Sequence, residues 1–336
     1  MDVSVIIPTH GRPRKVAACI SALARQTLDH DRYEVLVGVD GGSDEAERLV
    51  REAWAQAGGR VGGVKIIQCE KSGQAAVRNR LFPLAAGRTY VFLNDDMIPA
   101  AECLAAHLAA QREQEARGKP ALVVGDSPWR PHEPDRLFDR LVRETSMVFF
   151  YDKMRGCTDR DRDWGFRHAW MLNLSAPAAA VREVGGLTVF PSTYGYEDDD
   201  LAFRLGKRFG MPVLYRPEAV AVHDHQMEPR EYLERERKLG FAAWGFAGAA
   251  PECAAAMFGR DIRSKEEVDY SRQFLARERA TVERMQASFE GLAGTTSMAV
   301  GGMEPGKVLN LIYEQHLMVK RWWWRKGLLE AADATA

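Results

Sequence analysis

Short runs of β-branched and apolar residues alternate with helix-periodic segments through the first 96 residues, and each run stops at a polar cluster. Val3-Ser4-Val5-Ile6-Ile7-Pro8 leads into the loop Thr9-His10-Gly11-Arg12-Pro13, after which Val16, Ile20, Leu23 and Ala24 recur at helical spacing. Residues 33–39 form a second strand ending at Asp40, and Gly41-Gly42-Ser43-Asp44 is a turn that caps a helix over 45–57. Residues 64–68 are a third strand; a helix over 74–86 then leads to a fourth at 89–93, which ends at Asn94-Asp95-Asp96. Runs this short and apolar suit strands buried on both faces. The alternation predicts an α/β fold, a doubly wound and mainly parallel Rossmann-like sheet. Ligands of such sheets lie beyond the carboxyl ends of the strands. Loop 9–13, Asp40 and 94–96 all fall on that edge.

The second half continues with a helix at 100–117 and a strand at 121–125, followed by the irregular, aromatic segment 126–168, which carries Trp129, Phe149, Phe150, Tyr151 and Trp164. A strand over 169–174, a helix over 177–184 stopped by Gly185-Gly186, and strands at 213–215 and 219–222 lead to His223-Asp224-His225. From 228 onward Glu/Arg-rich helices dominate, at 229–245, 264–290 and 305–328, with Gly-rich breaks at 245–250 and 291–302. The expected division is 1–227 and a helical C-terminal extension, 228–336.

Lys and Arg number 46 against 47 Asp and Glu, so a basic nucleic-acid-binding surface is not expected. Five widely spaced cysteines read as free thiols of a reducing compartment. No apolar run reaches membrane-spanning length, and the chain starts on a strand, so a cytoplasmic protein is expected.

Residues 197–200, Glu-Asp-Asp-Asp, follow Tyr194-Gly195-Tyr196. Asp is poor in strands and in helix interiors but suits a helix N-terminus, where carboxylates meet unpaired N–H groups and the positive end of the dipole. The helix runs on through Leu201-Ala202-Phe203-Arg204-Leu205, with Asp200 and Arg204 spaced for an i,i+4 pair. The cluster is either an acidic cap or a set of carboxylates held at a cleft mouth.

Taken together, these segments resemble family-two glycosyltransferases of the GT-A fold. The matching pieces are residues 3–12, Val39-Asp40-Gly41-Gly42-Ser43-Asp44, Ala75-Ala76-Val77-Arg78-Asn79, Phe92-Leu93-Asn94-Asp95-Asp96, Val184-Gly185-Gly186-Leu187, and Gly195-Tyr196-Glu197-Asp198-Asp199-Asp200-Leu201. The last is also similar to the acidic motif of β-1,4-galactosyltransferases. The likeness spans roughly 3–225. It departs from the family at Asn94, which stands where the Asp-x-Asp motif has its first Asp, and at Gly41, where a second acid is frequent.

The resemblance implies a nucleotide-binding half, 1–97, and an acceptor half, 98–227, with 126–168 as its lid. It implies an inverting, metal-dependent transfer from a UDP- or GDP-sugar to an acceptor hydroxyl on a glycan, lipid-linked, small-molecule or protein acceptor. Pro8, Thr9, Gly11, Arg12, Asp40, Arg78, Asn94 and Asp95 would line the nucleotide site; Asp40 at a strand end also suits a turn cap, and Arg78 a surface salt bridge. Asp96 and His223 would hold Mn²⁺ or Mg²⁺, with His225 the rival because alternation puts both on one strand face. Asp198 would be the general base, with Glu197 beside it and Asp199, Trp164 and Trp170 toward the sugars; each aromatic also has a plain core reading. Two other classes remain, a sugar-nucleotide hydrolase or nucleotidyltransferase and a non-catalytic binding module. Loop 9–13 has one Gly and no Lys, which is poor for the former; Asn94 favours the latter. In the tail, Lys320-Arg321-Trp322-Trp323-Trp324-Arg325-Lys326 suits a peripheral membrane contact, or a helix packing its indoles inside the protein or on a homodimer partner.

Overall fold

A computed structural model of the chain describes residues 1–192, 194–296 and 305–335. The break expected at 291–302 therefore lies partly outside the described residues. Eight strands form one sheet in the order β3-β2-β1-β4-β7-β6-β8-β5. They are β1 (Val3–Thr9), β2 (Tyr33–Asp40), β3 (Val64–Cys69), β4 (Thr89–Leu93), β5 (Met97–Pro99), β6 (Leu122–Asp126), β7 (Asn173–Pro177) and β8 (Val213–His223). The helices are α1 (Pro13–Leu23), α2 (Asp44–Gln56), α3 (Gln74–Leu81), α4 (Cys103–Ala116), α5 (Leu137–Glu144), α6 (Tyr151–Met154), α7 (Ala178–Glu183), α8 (Glu197–Phe209), α9 (Pro229–Ala249), α10 (Pro251–Phe258), α11 (Lys265–Gly291) and α12 (Pro305–Ala334).

The chain forms two compact units. The first holds 1–128, 154–189 and 197–224; the second holds 129–153, 190–196 and 225–336. The larger part of the segment expected as a lid, 129–153, thus clusters with the C-terminal helices, and the rest, 126–128 and 154–168, with the sheet. The segment is not uniformly irregular either, since it contains α5 and α6.

In the first unit β3-β2-β1-β4 are parallel; β1, β2 and β4 are buried on both faces, in agreement with their uninterrupted apolar runs, whereas the edge strand β3 is only partly buried. The second half is mixed: β7 lies antiparallel between β4 and β6, β6 and β8 are parallel, and β5 lies antiparallel on β8. Two local expectations need correction, and one strand, β5, was not expected. The strand expected at 169–174 begins only at Asn173, because the Met171 N–H bonds a side-chain carboxylate and not a neighbouring strand. The three-residue β5 is too short to show a period. The strands expected at 213–215 and 219–222 are one strand with a bulge.

At that bulge the register jumps from Gly125↔Arg216 to Asp126↔Val220, around Pro217, which has no N–H to give to a ladder. Asn173 Nδ2 takes up carbonyls at the irregularity, those of Ala219 at 2.8 Å and Asp126 at 3.2 Å. Its Oδ1 lies 2.9 Å from His107 Nε2, and His107 Nδ1 lies 3.0 Å from Ser175 Oγ. Burial pushes His107 down to about 4, so the ring is neutral in this network. Gly125 is required here, because a Cβ would stand 2.1 Å from the Ala219 carbonyl oxygen.

The second unit is helical around Phe138, Leu141, Tyr232, Leu233, Phe289, Val319 and Trp323. The indoles singled out in the tail are built into this unit. Trp322 donates to the Leu275 carbonyl, Trp323 to Gln286 Oε1 and Trp324 to the Tyr196 hydroxyl. No described helix is long and apolar enough to cross a membrane, and all five cysteines are free.

Helices α9 and α12 touch backbone to backbone at two glycines. A Cβ on Gly240 would lie 1.8 Å from the Trp324 carbonyl oxygen, and one on Gly327 would lie 1.8 Å from that of Arg237. Overpacking against a rigid backbone costs about 1–3 kcal/mol, whereas Ala gains at most about 1 kcal/mol over Gly in helix propensity. Gly327→Ala is therefore expected to lower the urea midpoint of unfolding; an unchanged or raised midpoint would show that the helices separate freely.

Candidate active site

The carboxyl ends of β1 and β4 meet through their polar residues. Pro8 and Thr9 end β1, and the Thr9 hydroxyl donates to Asp95 Oδ2 at 2.7 Å. Gly11 turns the loop at φ +64. Arg12 then sends its guanidinium to both acids, with Nη2 2.5 Å from Asp95 Oδ1 and Nη1 2.7 Å from Asp96 Oδ2. Burial is the main effect on Asp95, pushing its carboxyl up to about 6, with Arg12 opposing.

His223, at the end of β8, places Nε2 3.5 Å from Asp96 Oδ2. The register of β5 on β8 pairs Met97 with His223, and the Asp224 N–H bonds the Asp96 carbonyl at 2.8 Å. Strand pairing thus fixes the imidazole beside the carboxylate. His225 does not share this face, because β8 stops at His223. Its Nε2 instead lies 3.3 Å from Glu231 in the second unit. A divalent cation would find one carboxylate and one imidazole here. Among the described residues no three His, Cys, Asp or Glu side chains form a closed metal cage. Two protein donors suit Mg²⁺ or Mn²⁺, which complete their shells with phosphate oxygens and water.

Asp40 accepts the backbone N–H of Ser72 at 2.7 Å and of Gly73 at 3.1 Å, closing the loop ahead of α3. The cap expected on the following turn is Ser43, which accepts the Ala46 N–H at the start of α2. Arg78, on α3, is no surface residue: it is 1% exposed. Its Nη2 donates to Asn94 Oδ1 at 2.9 Å, while Nε and Nη1 have no hydrogen-bond partner. Burial lowers its pKa, opposed by the charges of Asp198, Glu197 and Asp95. Asn94, in the place of an acid, thus serves as an acceptor for a buried cation.

Helix α8 begins at Glu197, with all four acids in its first turn. Glu197 Oε1 accepts Gln74 Nε2 at 2.6 Å, and Asp198 Oδ2 accepts the Met171 N–H at 2.9 Å. Asp200 accepts Arg204 Nε at 2.8 Å and the Thr188 hydroxyl at 2.7 Å, so it is a structural acid. Burial pushes Glu197 up to about 7, with Asp198 adding, and raises Asp198, against which Arg78 acts. Asp199 is pushed up to about 8 by burial and by Asp198, with Arg167 opposing.

The ring of Trp164 meets that of His168 at a tilt, with centroids 5.9 Å apart, and His168 meets Trp170 likewise at 5.5 Å. This aromatic row leads to Met171, the residue whose N–H holds Asp198. Trp129 and Tyr151, in the second unit, are buried as core.

Sequence reasoning passed over Gln74, and quoted Asn79 in the motif at 75–79 without giving it a role. Asn79 exchanges two hydrogen bonds with the backbone of Leu187, at 2.8 and 2.9 Å, and ties α3 to the Gly185-Gly186 turn. No local signal gives the partner of either residue, because those partners lie more than a hundred positions away.

Residues 4–159 match the family described as Glycosyl transferase family 2. This segment belongs to glycosyl transferase family 2. Validoxylamine A glucosyltransferase of Streptomyces hygroscopicus subsp. limoneus is 30% identical over 223 residues, covering 60% of this chain and 47% of that protein. The chain thus spans about half the length of the curated relatives it matches. Among solved structures, the mannosyltransferase PcManGT from Pyrobaculum calidifontis in complex with GDP-Man and Mn²⁺ is similar with TM-score 0.55 at 17% identity, over 99% of this chain and 86% of that one. S. aureus TarS 1–349 in complex with UDP is similar with TM-score 0.51 at 13% identity, over 100% of this chain and 91% of that one. The fold is that of GT-A glycosyltransferases, a mixed α/β sheet followed by helices.

The raised carboxyls set a stability trend. Folded Asp199 holds a proton until about pH 8, whereas an unfolded Asp releases it near its ordinary 3.8. Between these values the native state binds more protons, so this group's contribution falls as pH rises. Asp199→Asn is expected to raise the melting temperature relative to the parent at pH 8–9 and to give little gain at pH 4. A gain that is equal at both pH values would show that burial of charge is not the cause.

Proposed function

We propose that the chain is an inverting, metal-dependent glycosyltransferase that moves a sugar from a UDP- or GDP-linked donor to an acceptor hydroxyl. The observation that carries this reading is one carboxylate, Asp198. It is oriented by the Met171 N–H, lies at the N-terminus of α8, and stands within the field of the buried Arg78. Arg78 also acts on Asp95, which shares Arg12 with Asp96. The curated relatives are glucosyltransferases, and one similar structure holds a sugar nucleotide with Mn²⁺.

In this reading Thr9, Gly11, Arg12 and Asp95 border the diphosphate, with Pro8 shaping the loop. Asp40 and Asn94 border the nucleoside, Asp40 through the loop it closes. Arg78 faces the nucleotide or its phosphates with its unused N–H groups. Asp96 and His223 would hold the cation, which when bound neutralises charge on the departing diphosphate. Asp198 takes the proton of the acceptor hydroxyl as its oxygen bonds to the anomeric carbon. The bond from that carbon to the diphosphate oxygen breaks on the opposite face, so the configuration inverts. Glu197 and Asp199 orient hydroxyl groups, and Trp164 and Trp170 offer faces to a sugar ring. Because the base acts ionised and burial raises its pKa, turnover falls as pH drops through that raised value.

The test is release of nucleoside diphosphate with and without acceptors, across UDP- and GDP-sugars. Asp198→Asn is expected to reduce turnover about 10²–10⁴-fold while donor binding stays within a few-fold. His223→Ala should move Mn²⁺ activation to higher concentration. Release that is independent of any acceptor would make the protein a hydrolase, and substantial activity in Asp198→Asn would assign the base elsewhere.

A further inference from the structure

The basic residues of the tail border a cleft in the second unit that the proposed reaction does not use. Its volume is about 390 Å³, and Glu236, Arg260, Leu317, Lys320, Arg321, Trp324 and Arg325 line it. Helices α9, α11 and α12 and the end of α10 converge there.

Its one lining acid, Glu236, and Glu267 nearby are already engaged. Glu236 Oε1 lies 2.8 Å from Arg235 Nη1, and Oε2 lies 3.9 Å from Lys320 Nζ. Glu267, behind Arg325, receives Arg325 Nη1 at 2.7 Å and Arg260 Nε at 3.1 Å. Among the residues lining the cleft, four cations thus face one carboxylate, with Arg235 paired to Glu236 and Glu267 paired to Arg325 and Arg260. Arg325 is 2% exposed, and its Nε has no hydrogen-bond partner. Arg321 is braced by the Tyr270 hydroxyl at 2.7 Å and by the face of Phe274 at 4.9 Å, which restrains a long side chain at the rim.

A concave site with surplus positive charge, pre-oriented guanidinium groups and a buried unused donor has the chemistry of a phosphate receptor. We propose that this cleft binds a phosphate group, carried by a soluble phosphorylated compound or by a lipid headgroup. Arg321, Lys320 and Arg260 contact its oxygens, and Trp324 packs beside the group that bears it. The inference is independent of the reaction proposed above, since every residue it uses lies in the second unit.

The experiment uses the full chain in chelator, with inorganic pyrophosphate followed by calorimetry and with phosphatidylglycerol vesicles followed by flotation. The K320Q/R321Q double variant is expected to bind whichever probe the parent binds at least about tenfold more weakly. Arg321→Lys should retain most of the affinity, and Arg12→Gln, which alters the diphosphate-bordering loop of the first unit, should leave the component of binding that K320Q/R321Q removes unchanged. Arg260→Gln is the second variant should the double variant fail to fold. Pyrophosphate binding lost in the double variant assigns a soluble ligand; vesicle binding alone, lost in the same variant, assigns a headgroup. Equal affinity in parent and double variant, or no binding of either probe by the parent, overturns the proposal.

Discussion

Excess negative charge gathered at the carboxyl edge of the sheet is the constraint to which the rest of the first unit answers. Asp95 and Asp96 follow β4, and Glu197, Asp198 and Asp199 open α8. Partly or wholly removed from water, these acids need cations, hydrogen-bond donors or protons. Arg12 spans the first pair. Arg78 is buried where it acts on Asp198, Glu197 and Asp95 together. The dipole of α8 and the N–H of Met171 supply part of the remainder. What is left appears as carboxyls shifted upward, to about 6 for Asp95, about 7 for Glu197 and about 8 for Asp199. A site in this condition is ready to accept a cation or a proton.

The same edge depends on an irregularity behind it. The β6–β8 bulge would strand carbonyl groups in the interior without Asn173, and Asn173 is held in turn by neutral His107. Beyond the bulge β8 pairs with β5 and delivers His223 opposite Met97, next to Asp96. A buried polar network with no catalytic role therefore sets where an imidazole at the site stands. Asn79 acts similarly for α3, tying the helix that carries Arg78 to Leu187.

The second unit is organised differently. Its helices close on one another through glycines and through indoles whose N–H groups find partners inside the fold. The tryptophans of the tail serve packing. The cations flanking them, with Arg325 buried and Arg321 at the rim, line a cleft whose one lining acid is Glu236.

Residue periodicity and type were sufficient for the parallel half of the sheet, the helices that flank it, the acidic start of α8 with its Asp200–Arg204 pair, and the set of polar loops on one edge. Each of these follows from local chemistry: burial on both strand faces, preference for a helix terminus, or turn residues at strand ends. The antiparallel β7, the short β5, the single bulged β8 and the choice of His223 over His225 depended on pairing between distant segments. So did the function of Asp40 as a clamp on Ser72 and Gly73, the burial of Arg78 against Asn94, and the division of 126–168 between two units. A strand reveals whether it is buried but not which neighbour it pairs with or where pairing stops. A charged side chain likewise reveals its need for a partner, and only the folded chain determines which partner stands within reach.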